Sequence, residues 1–293
     1  MNDRIVAEKR EKLETSLFNE LLFRNIVLPN NLVKVTAAIL SKIFAENSSY
    51  EMLEIIGFGS IWAWALDEIT DNANLNLDAK KDFLKNYIHL FDTVDFNKKI
   101  SLEKFPETSS LIIDCFNKII EYSNLNDLDR RLLKEEYVDC LKGFEYESIN
   151  MGILVPIEDS LYQRSYSYVP PFYGAMVYAA DFHVKNEGDY QAIRPLLRVF
   201  GEITRIHNDI GTYYKEKASG EINLIWLLIK SGLNETEAFE KAKEYLARAT
   251  QKFNELSKPI EEKRFLEVLN KFIDVHGKMY SINNVRIIDP TTI

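Results

Sequence analysis

The sequence contains few cysteines, glycines and prolines, and each shortage excludes a class of protein. Its two cysteines, Cys115 and Cys140, are too few for a disulfide framework or a four-ligand zinc site. Eleven glycines and eight prolines in 293 residues exclude collagen-like and linker-rich chains. We therefore expect an ordered chain with reduced thiols and a cytoplasmic location.

The sequence also lacks an excess of basic residues and any long apolar run. Lys and Arg total 36 against 45 Asp and Glu, which gives a formal net charge of −9. A nucleic-acid-binding protein usually carries a basic stripe instead. No stretch approaches the roughly 18 consecutive apolar residues that cross a membrane. The sequence therefore predicts neither a nucleic-acid partner nor a membrane span.

Apolar residues recur at three- and four-residue spacing along most of the chain, which is typical of amphipathic helices. Breaks rich in Asn, Pro and Gly separate these segments, as at residues 169–171 and 186–189. Asn234, followed by Glu237, predicts a capped helix start. No alternating pattern indicates a sheet. We predict one all-α domain over residues 1–293, built from roughly ten helices.

The first polar pattern ends an apolar, aromatic helix that begins near residue 57. Asp67 and Asp71 are four residues apart, so their carboxylates share one helix face, and Glu68 lies between them. Two like charges at this spacing are destabilising unless a cation such as Mg²⁺ joins them. A solvated acidic helix end is the alternative interpretation.

The second polar pattern places Asn208, Thr212 and Glu216 at intervals of four residues. In an α-helix each interval rotates by only about 40°, so amide, hydroxyl and carboxylate oxygens share one face. All three are oxygen donors of the kind that Mg²⁺ accepts. The alternative is a polar helix surface with an Arg205–Asp209 ion pair.

The run Asn-Asp-Ile-Gly-Thr-Tyr-Tyr-Lys-Glu over residues 208–216 resembles the Asn/Ser/Glu metal-binding triad of class I terpene synthases. Asp67-Glu68-x-x-Asp71 resembles the aspartate-rich motif of that family, although Glu68 replaces the usual second Asp. Arg205 and residues 215–223 are also similar to the family. The resemblance covers most of the chain and implies an α-helical bundle with a central active-site cavity.

The resemblance implies a prenyl diphosphate substrate and three Mg²⁺ ions that neutralise the leaving diphosphate, so that the allylic C–O bond ionises. Arg164 precedes the triad at about the distance of the family's diphosphate-sensing arginine, and Lys278 with Tyr280 lies where the family often has an Arg-Tyr pair. We expect Arg164, Arg205 and Tyr280 to be catalytic. The implied metal ligands are Asp67, Glu68, Asp71, Asn208, Thr212 and Glu216, and the implied diphosphate contacts are Arg164, Arg205, Lys215 and Lys278.

The hydrocarbon part of such a substrate needs an inert wall that stabilises carbocations, which aromatic faces provide. For any single aromatic residue, packing in the core is the alternative role. The candidates for the pocket are Phe58, Trp62, Trp64, Phe144, Tyr168, Phe172 and Trp226, with Tyr280 beside them.

The triad region and Met279-Tyr280 resemble diterpene cyclases of the kaurene-synthase type, which favours a C20 substrate, geranylgeranyl or copalyl diphosphate, with farnesyl diphosphate as the alternative. A chain-elongating prenyltransferase would need a second aspartate-rich motif where residues 208–212 stand. A non-catalytic helical scaffold is the different-class alternative, and the departures at Glu68 and Lys278 support it. Family resemblance is compatible with a homodimer.

Overall fold

The computed structural model describes residues 2–44, 48–70, 76–93, 107–167 and 169–281. Within these ranges the chain forms twelve α-helices and no strand, which confirms the all-α prediction. None of the described helices is both long and apolar enough to cross a membrane. The helices are α1 (Asn2–Phe23), α2 (Asn30–Phe44), α3 (Tyr50–Thr70), α4 (Leu77–Thr93), α5 (Glu107–Tyr122), α6 (Asp127–Asn150), α7 (Ile157–Ser167), α8 (Pro170–Val177), α9 (Glu187–Ser219), α10 (Leu224–Lys230), α11 (Glu235–Leu256) and α12 (Lys263–Ser281).

Asparagine side chains begin four of these helices. Asn126, Asn186, Asn223 and Asn234 each accept a hydrogen bond from a backbone N–H of the first turn of α6, α9, α10 and α11. Asn234 forms a capping box with Glu237, as the sequence predicts. Helix α8 instead begins with two prolines, which need no hydrogen-bond partner for a backbone N–H.

Two long helices organise the bundle. Helix α3 is buried along most of its length and packs against α1, α2, α5 and α8. Helix α9 packs against α7, α8, α10, α11 and α12. A π-helical turn over Tyr178–Phe182 continues α8 toward α9. As a result, the C-terminal parts of α3 and α9, which carry the two polar patterns, line the same cavity.

Helix α7 approaches α9 closely because Gly201 has no side chain. A Cβ at this position would lie 2.1 Å from the backbone oxygen of Ser165 and 2.6 Å from Cγ of Pro171. Backbone atoms cannot rotate away as a flexible side chain can, so the helices would have to separate. Gly201 therefore sets the distance between α7 and α9.

We predict that Gly201→Ala lowers the free energy of unfolding by about 1–3 kcal/mol, the usual cost of overpacking a core. Urea unfolding of the purified variant measures this loss.

Gly59→Ala on α3 is the matched control, because a Cβ there would meet ordinary contacts of 3.6 Å or more. It should be neutral or stabilise the helix by up to about 1 kcal/mol. Equal effects of the two substitutions would contradict the close approach of α7 and α9.

Candidate active site

A cavity of about 200 Å³ lies between α2, α3, α6, α8, α9 and α12. One end is polar and includes Asp67 of α3 and Asn208, Thr212 and Glu216 of α9. Helix α12 lies against α9 along this cavity, since Tyr280 is beside Gly211 and the ring of Phe272 is 5.2 Å from that of Phe200. The wall therefore changes from polar near Tyr280 to apolar near Phe272.

The predicted triad faces this cavity from the C-terminal half of α9. Asn208 and Glu216 are only 8% and 4% exposed, and Thr212 is half-buried between them. Thr212 Oγ1 donates to the backbone oxygen of Asn208 at 2.7 Å, and the Nδ2 of Asn223 donates to Glu216 Oε2 at 2.8 Å. No described residue hydrogen-bonds the side-chain amide of Asn208.

Burial raises the pKa of Glu216, and the positive charge of Arg205 together with the hydrogen bond from Asn223 opposes that rise. A further positive charge at this end of the cavity would favour the ionised carboxylate. The triad is therefore a set of oxygen donors in which a bound cation would stabilise the ionised carboxylate of Glu216.

The end of α3 supplies the second polar element. Asp67 is half-buried and lines the cavity, whereas Glu68 is exposed and is not part of the described cavity wall. Asp71 lies outside the described residues. The structure thus brings Asp67 together with the triad and places Glu68 on another side of the helix.

A buried cluster of charged residues lies behind the triad. Arg164 binds Asp209 through two parallel hydrogen bonds of 2.8 Å, and Arg205 Nε donates to the same carboxylate at 3.0 Å. Glu147 Oε1 accepts from both arginines at 2.8 Å. The backbone N–H of Leu224 adds a fourth donor to Asp209 at 2.8 Å. Burial raises the pKa of Asp209, while Arg205 and the Leu224 N–H hold it down.

The family model of terpene synthase family 2, described as its C-terminal metal-binding region, matches residues 60–252, more than half of the chain. The chain belongs to the terpene synthase family. The matched segment contains Asp67 and the whole triad, so the family predicted from the two motifs is confirmed.

Solved structures of terpene synthases share this fold. The linalool/nerolidol synthase from Streptomyces clavuligerus, solved with 2-fluorogeranyl diphosphate, is 16% identical with a TM-score of 0.76 over 94% of each chain. The 2-methylisoborneol synthase from Streptomyces coelicolor A3(2), solved with Mg²⁺ and geranyl-S-thiolodiphosphate, is 15% identical with a TM-score of 0.72, over 97% of this chain and 93% of that one. Wild-type cucumene synthase is 15% identical with a TM-score of 0.73, over 95% and 96%. No curated protein sequence matches the chain.

The donor set of this terpene synthase fits a hard divalent cation. Its members are carboxylate, amide and hydroxyl oxygens on one cavity wall, which are the ligand types that Mg²⁺ takes. In the described part of the chain no three His, Cys, Asp or Glu side chains form a metal cluster. Among the described residues, the candidate metal donors are the mixed set of Asp67, Asn208, Thr212 and Glu216.

The structure separates the residues predicted to contact diphosphate. Arg205 and Lys215 line the cavity, as does Tyr280. Arg164 is 0% exposed and is not part of the described cavity wall, and its guanidinium binds Asp209 and Glu147. Lys278 is exposed, is not part of the described cavity wall, and pairs with Asp274 at 2.7 Å. In this arrangement neither Arg164 nor Lys278 is placed for the direct diphosphate contact expected from the sequence.

The predicted aromatic pocket is only partly assembled as expected. Trp64 and Phe144 line the cavity, and Trp64 Nε1 donates to Thr36 at 3.1 Å. Trp62 and Phe172 instead pack around Tyr137 in the core, with ring centroids 5.3 and 5.7 Å away.

Two further predicted pocket residues lie away from the described cavity wall. Phe58 has the ammonium of Lys118 5.0 Å from its ring centroid, and Trp226 has that of Lys230 at 5.7 Å. Tyr168 lies outside the described residues.

Sequence reasoning missed three rings of the cavity wall, those of Tyr173, Phe272 and His276. The His276 ring centroid is 4.6 Å from that of Tyr280 and 6.0 Å from that of His207. Burial lowers the pKa of both histidines, so both rings are neutral near pH 7. For Phe272, the sequence does contain an indication of burial, because apolar residues recur at three- and four-residue spacing along α12. They are Phe265, Val268, Leu269, Phe272, Val275 and Met279.

We predict that Asp209→Asn lowers the free energy of unfolding by about 3–5 kcal/mol, because Arg164 and Arg205 would lose their shared buried counter-charge. Urea unfolding at neutral pH measures the loss.

Asp274→Asn is the matched control, since it removes the same charge from the exposed pair with Lys278 and should cost at most about 1 kcal/mol. A loss at Asp209 no larger than that at Asp274 would show that the buried cluster does not stabilise the fold.

Proposed function

We propose that the chain is a Mg²⁺-dependent class I terpene synthase that ionises a prenyl diphosphate, cyclises the carbocation and releases diphosphate. Family membership already assigns it to the lyases that act on prenyl diphosphates. The observation that carries the proposal is the lining of one cavity, which combines metal-type oxygen donors of α3 and α9 with aromatic rings of α3, α6, α8 and α12.

The polar end would hold the leaving group. Bound Mg²⁺, three ions in the expectation from the resemblance, would neutralise the diphosphate so that it departs with the C–O electron pair. Asn208, Thr212 and Glu216 would hold the cations from α9, and Asp67 would hold them from α3, with Asp71 as a further candidate. Arg205 and Lys215, which line the same end, would bind diphosphate oxygens directly.

The other end would hold the hydrocarbon and exclude water. Tyr173 and Phe272 face each other with ring centroids 6.5 Å apart, and Trp64 and Phe144 complete this wall. Such rings attract a cation without forming a bond to it, each contributing about 0.5–2 kcal/mol. The two thiols are buried in the core, and burial raises the pKa of both, so they are not reactive thiolates.

The two departures from the family pattern, Glu68 and Lys278, do not favour the alternative of a non-catalytic scaffold. Glu68 is exposed at the end of α3, and Lys278 pairs with Asp274, so neither replacement changes the described wall. The motif residues on the described wall, Asp67, Asn208, Thr212 and Glu216, match the family pattern.

The C20 substrates geranylgeranyl and copalyl diphosphate remain the sequence-based prediction, with farnesyl diphosphate as the alternative. Two of the similar solved structures hold analogues of geranyl diphosphate, so geranyl diphosphate belongs in the same test.

The deciding experiment incubates purified protein with geranyl, farnesyl, geranylgeranyl and copalyl diphosphates, with and without Mg²⁺, and analyses products by gas chromatography–mass spectrometry. We expect a Mg²⁺-dependent hydrocarbon or terpene alcohol from one of them. Folded protein that gives no product and releases no diphosphate from any of the four would contradict the proposal.

We further predict that Asp67→Asn and Glu216→Gln each lower kcat at least about a hundredfold, because each removes a negative metal ligand worth several kcal/mol of transition-state stabilisation. Steady-state diphosphate release at saturating Mg²⁺ measures this, with circular dichroism as the check on folding.

Glu68→Gln is the matched control, because it removes a neighbouring carboxylate that the structure places off the described cavity wall. Its kcat should stay within about threefold of the wild-type value. Equal losses at Asp67 and Glu68 would make Glu68 a direct ligand.

A further inference from the structure

One buried amide, that of Asn223, connects the triad to the start of α10. Asn223 is 0% exposed. Its Nδ2 donates to Glu216 Oε2 and to the backbone oxygen of Asp209, both at 2.8 Å, and its Oδ1 accepts from the Ile225 N–H at 2.8 Å. Both N–H donors and the carbonyl oxygen of the amide are therefore in use.

Capping alone does not explain this residue. A helix N-cap needs only a side-chain oxygen, and Ser or Asp provides one as well as Asn does. The two donated hydrogen bonds need an NH₂ group, and they end on Glu216 and on the backbone of α9 next to Asn208. The amide therefore also binds a side chain and a backbone oxygen of α9, which capping of α10 does not require.

The hydrogen bond that Asn223 donates to Oε2 restrains the direction of the Glu216 carboxylate, and the bond to the Asp209 backbone holds the amide in place. A Glu side chain has three rotatable bonds. In Glu216 the carboxylate end is restrained by the Asn223 amide, which is itself held by its hydrogen bonds to the Asp209 backbone oxygen and the Ile225 N–H. Groups that orient a metal ligand in this way typically contribute tenfold to a hundredfold to metal affinity.

We propose that Asn223 is a positioning residue that holds the Glu216 carboxylate in the orientation in which it binds a divalent cation. The inference rests on the proposed function, in which Glu216 is a metal ligand. It adds a residue outside both polar patterns to the machinery of the site.

The test uses Asn223→Asp and Asn223→Ser in the full-length chain. Both variants keep an oxygen for the Ile225 N–H, and both remove the donors to Glu216 and Asp209. Asn223→Asp also places a carboxylate against Glu216, whereas Asn223→Ser adds no charge. The serine variant keeps the test valid should a buried extra charge prevent the aspartate variant from folding.

The measured quantity is the Mg²⁺ concentration that gives half of the rise in melting temperature when Mg²⁺ is titrated into protein with inorganic diphosphate. We expect this midpoint to rise about tenfold to a hundredfold in the Asn223 variants. Asn234→Asp is the matched control, because Asn234 caps the exposed start of α11, and its midpoint should equal that of the wild type.

The outcomes separate the two levels of the proposal. Folded Asn223 variants with a lower melting temperature without Mg²⁺ but an unchanged midpoint would show a purely structural role and overturn the inference. A wild-type protein that Mg²⁺ and diphosphate do not stabilise would overturn the proposed function, and this inference with it.

Discussion

The Asp209 carboxylate is the interaction on which the polar end of the cavity depends. Asp209 of α9 is fully buried, and it joins this helix to α7 through Arg164 and to α10 through the Leu224 N–H, while Arg205 adds a donor from one turn earlier in α9. A buried carboxylate without partners would cost several kcal/mol, so these contacts favour the arrangement in which α7, α9 and α10 meet at this point. Because Asp209 follows Asn208, anchoring one residue sets the rotation of α9 and turns the triad toward the cavity.

This anchor also explains the place of Arg164. A guanidinium with parallel donors matches a carboxylate bidentately, and the pair excludes water from both groups. Arg205 shares the same two acidic partners, Glu147 and Asp209, and also lines the cavity. The positive charge beside the triad is therefore divided between one arginine that holds the helix and one that faces the substrate space.

The sequence predicts those parts of the site that depend on the geometry of one helix. The common face of Asn208, Thr212 and Glu216 follows from 3.6 residues per turn, as does the all-α fold from its apolar spacing. The aromatic wall depends on packing between helices, so residue spacing alone does not decide which of the predicted rings line the cavity. Phe172 packs in the core, whereas its neighbour Tyr173 lines the cavity. Successive residues of a helix point about 100° apart, and the helices packed around α8 determine which of the two faces the cavity. Trp62 and Trp64 of α3 diverge for the same reason.

The charge of the cavity wall gives a physical reason for metal dependence. Among the described residues of the wall, Asp67, Glu147, Glu216 and Glu221 are acidic, and Arg205 and Lys215 are basic. The buried pair behind the wall, Arg164 and Asp209, adds one charge of each sign. A diphosphate entering this space alone would meet an excess of negative charge at low dielectric, where repulsion is strong. Bound divalent cations would make the charge at this wall positive. Under the proposed function, the carboxylates that repel free diphosphate would therefore bind it through the cations, as a metal complex.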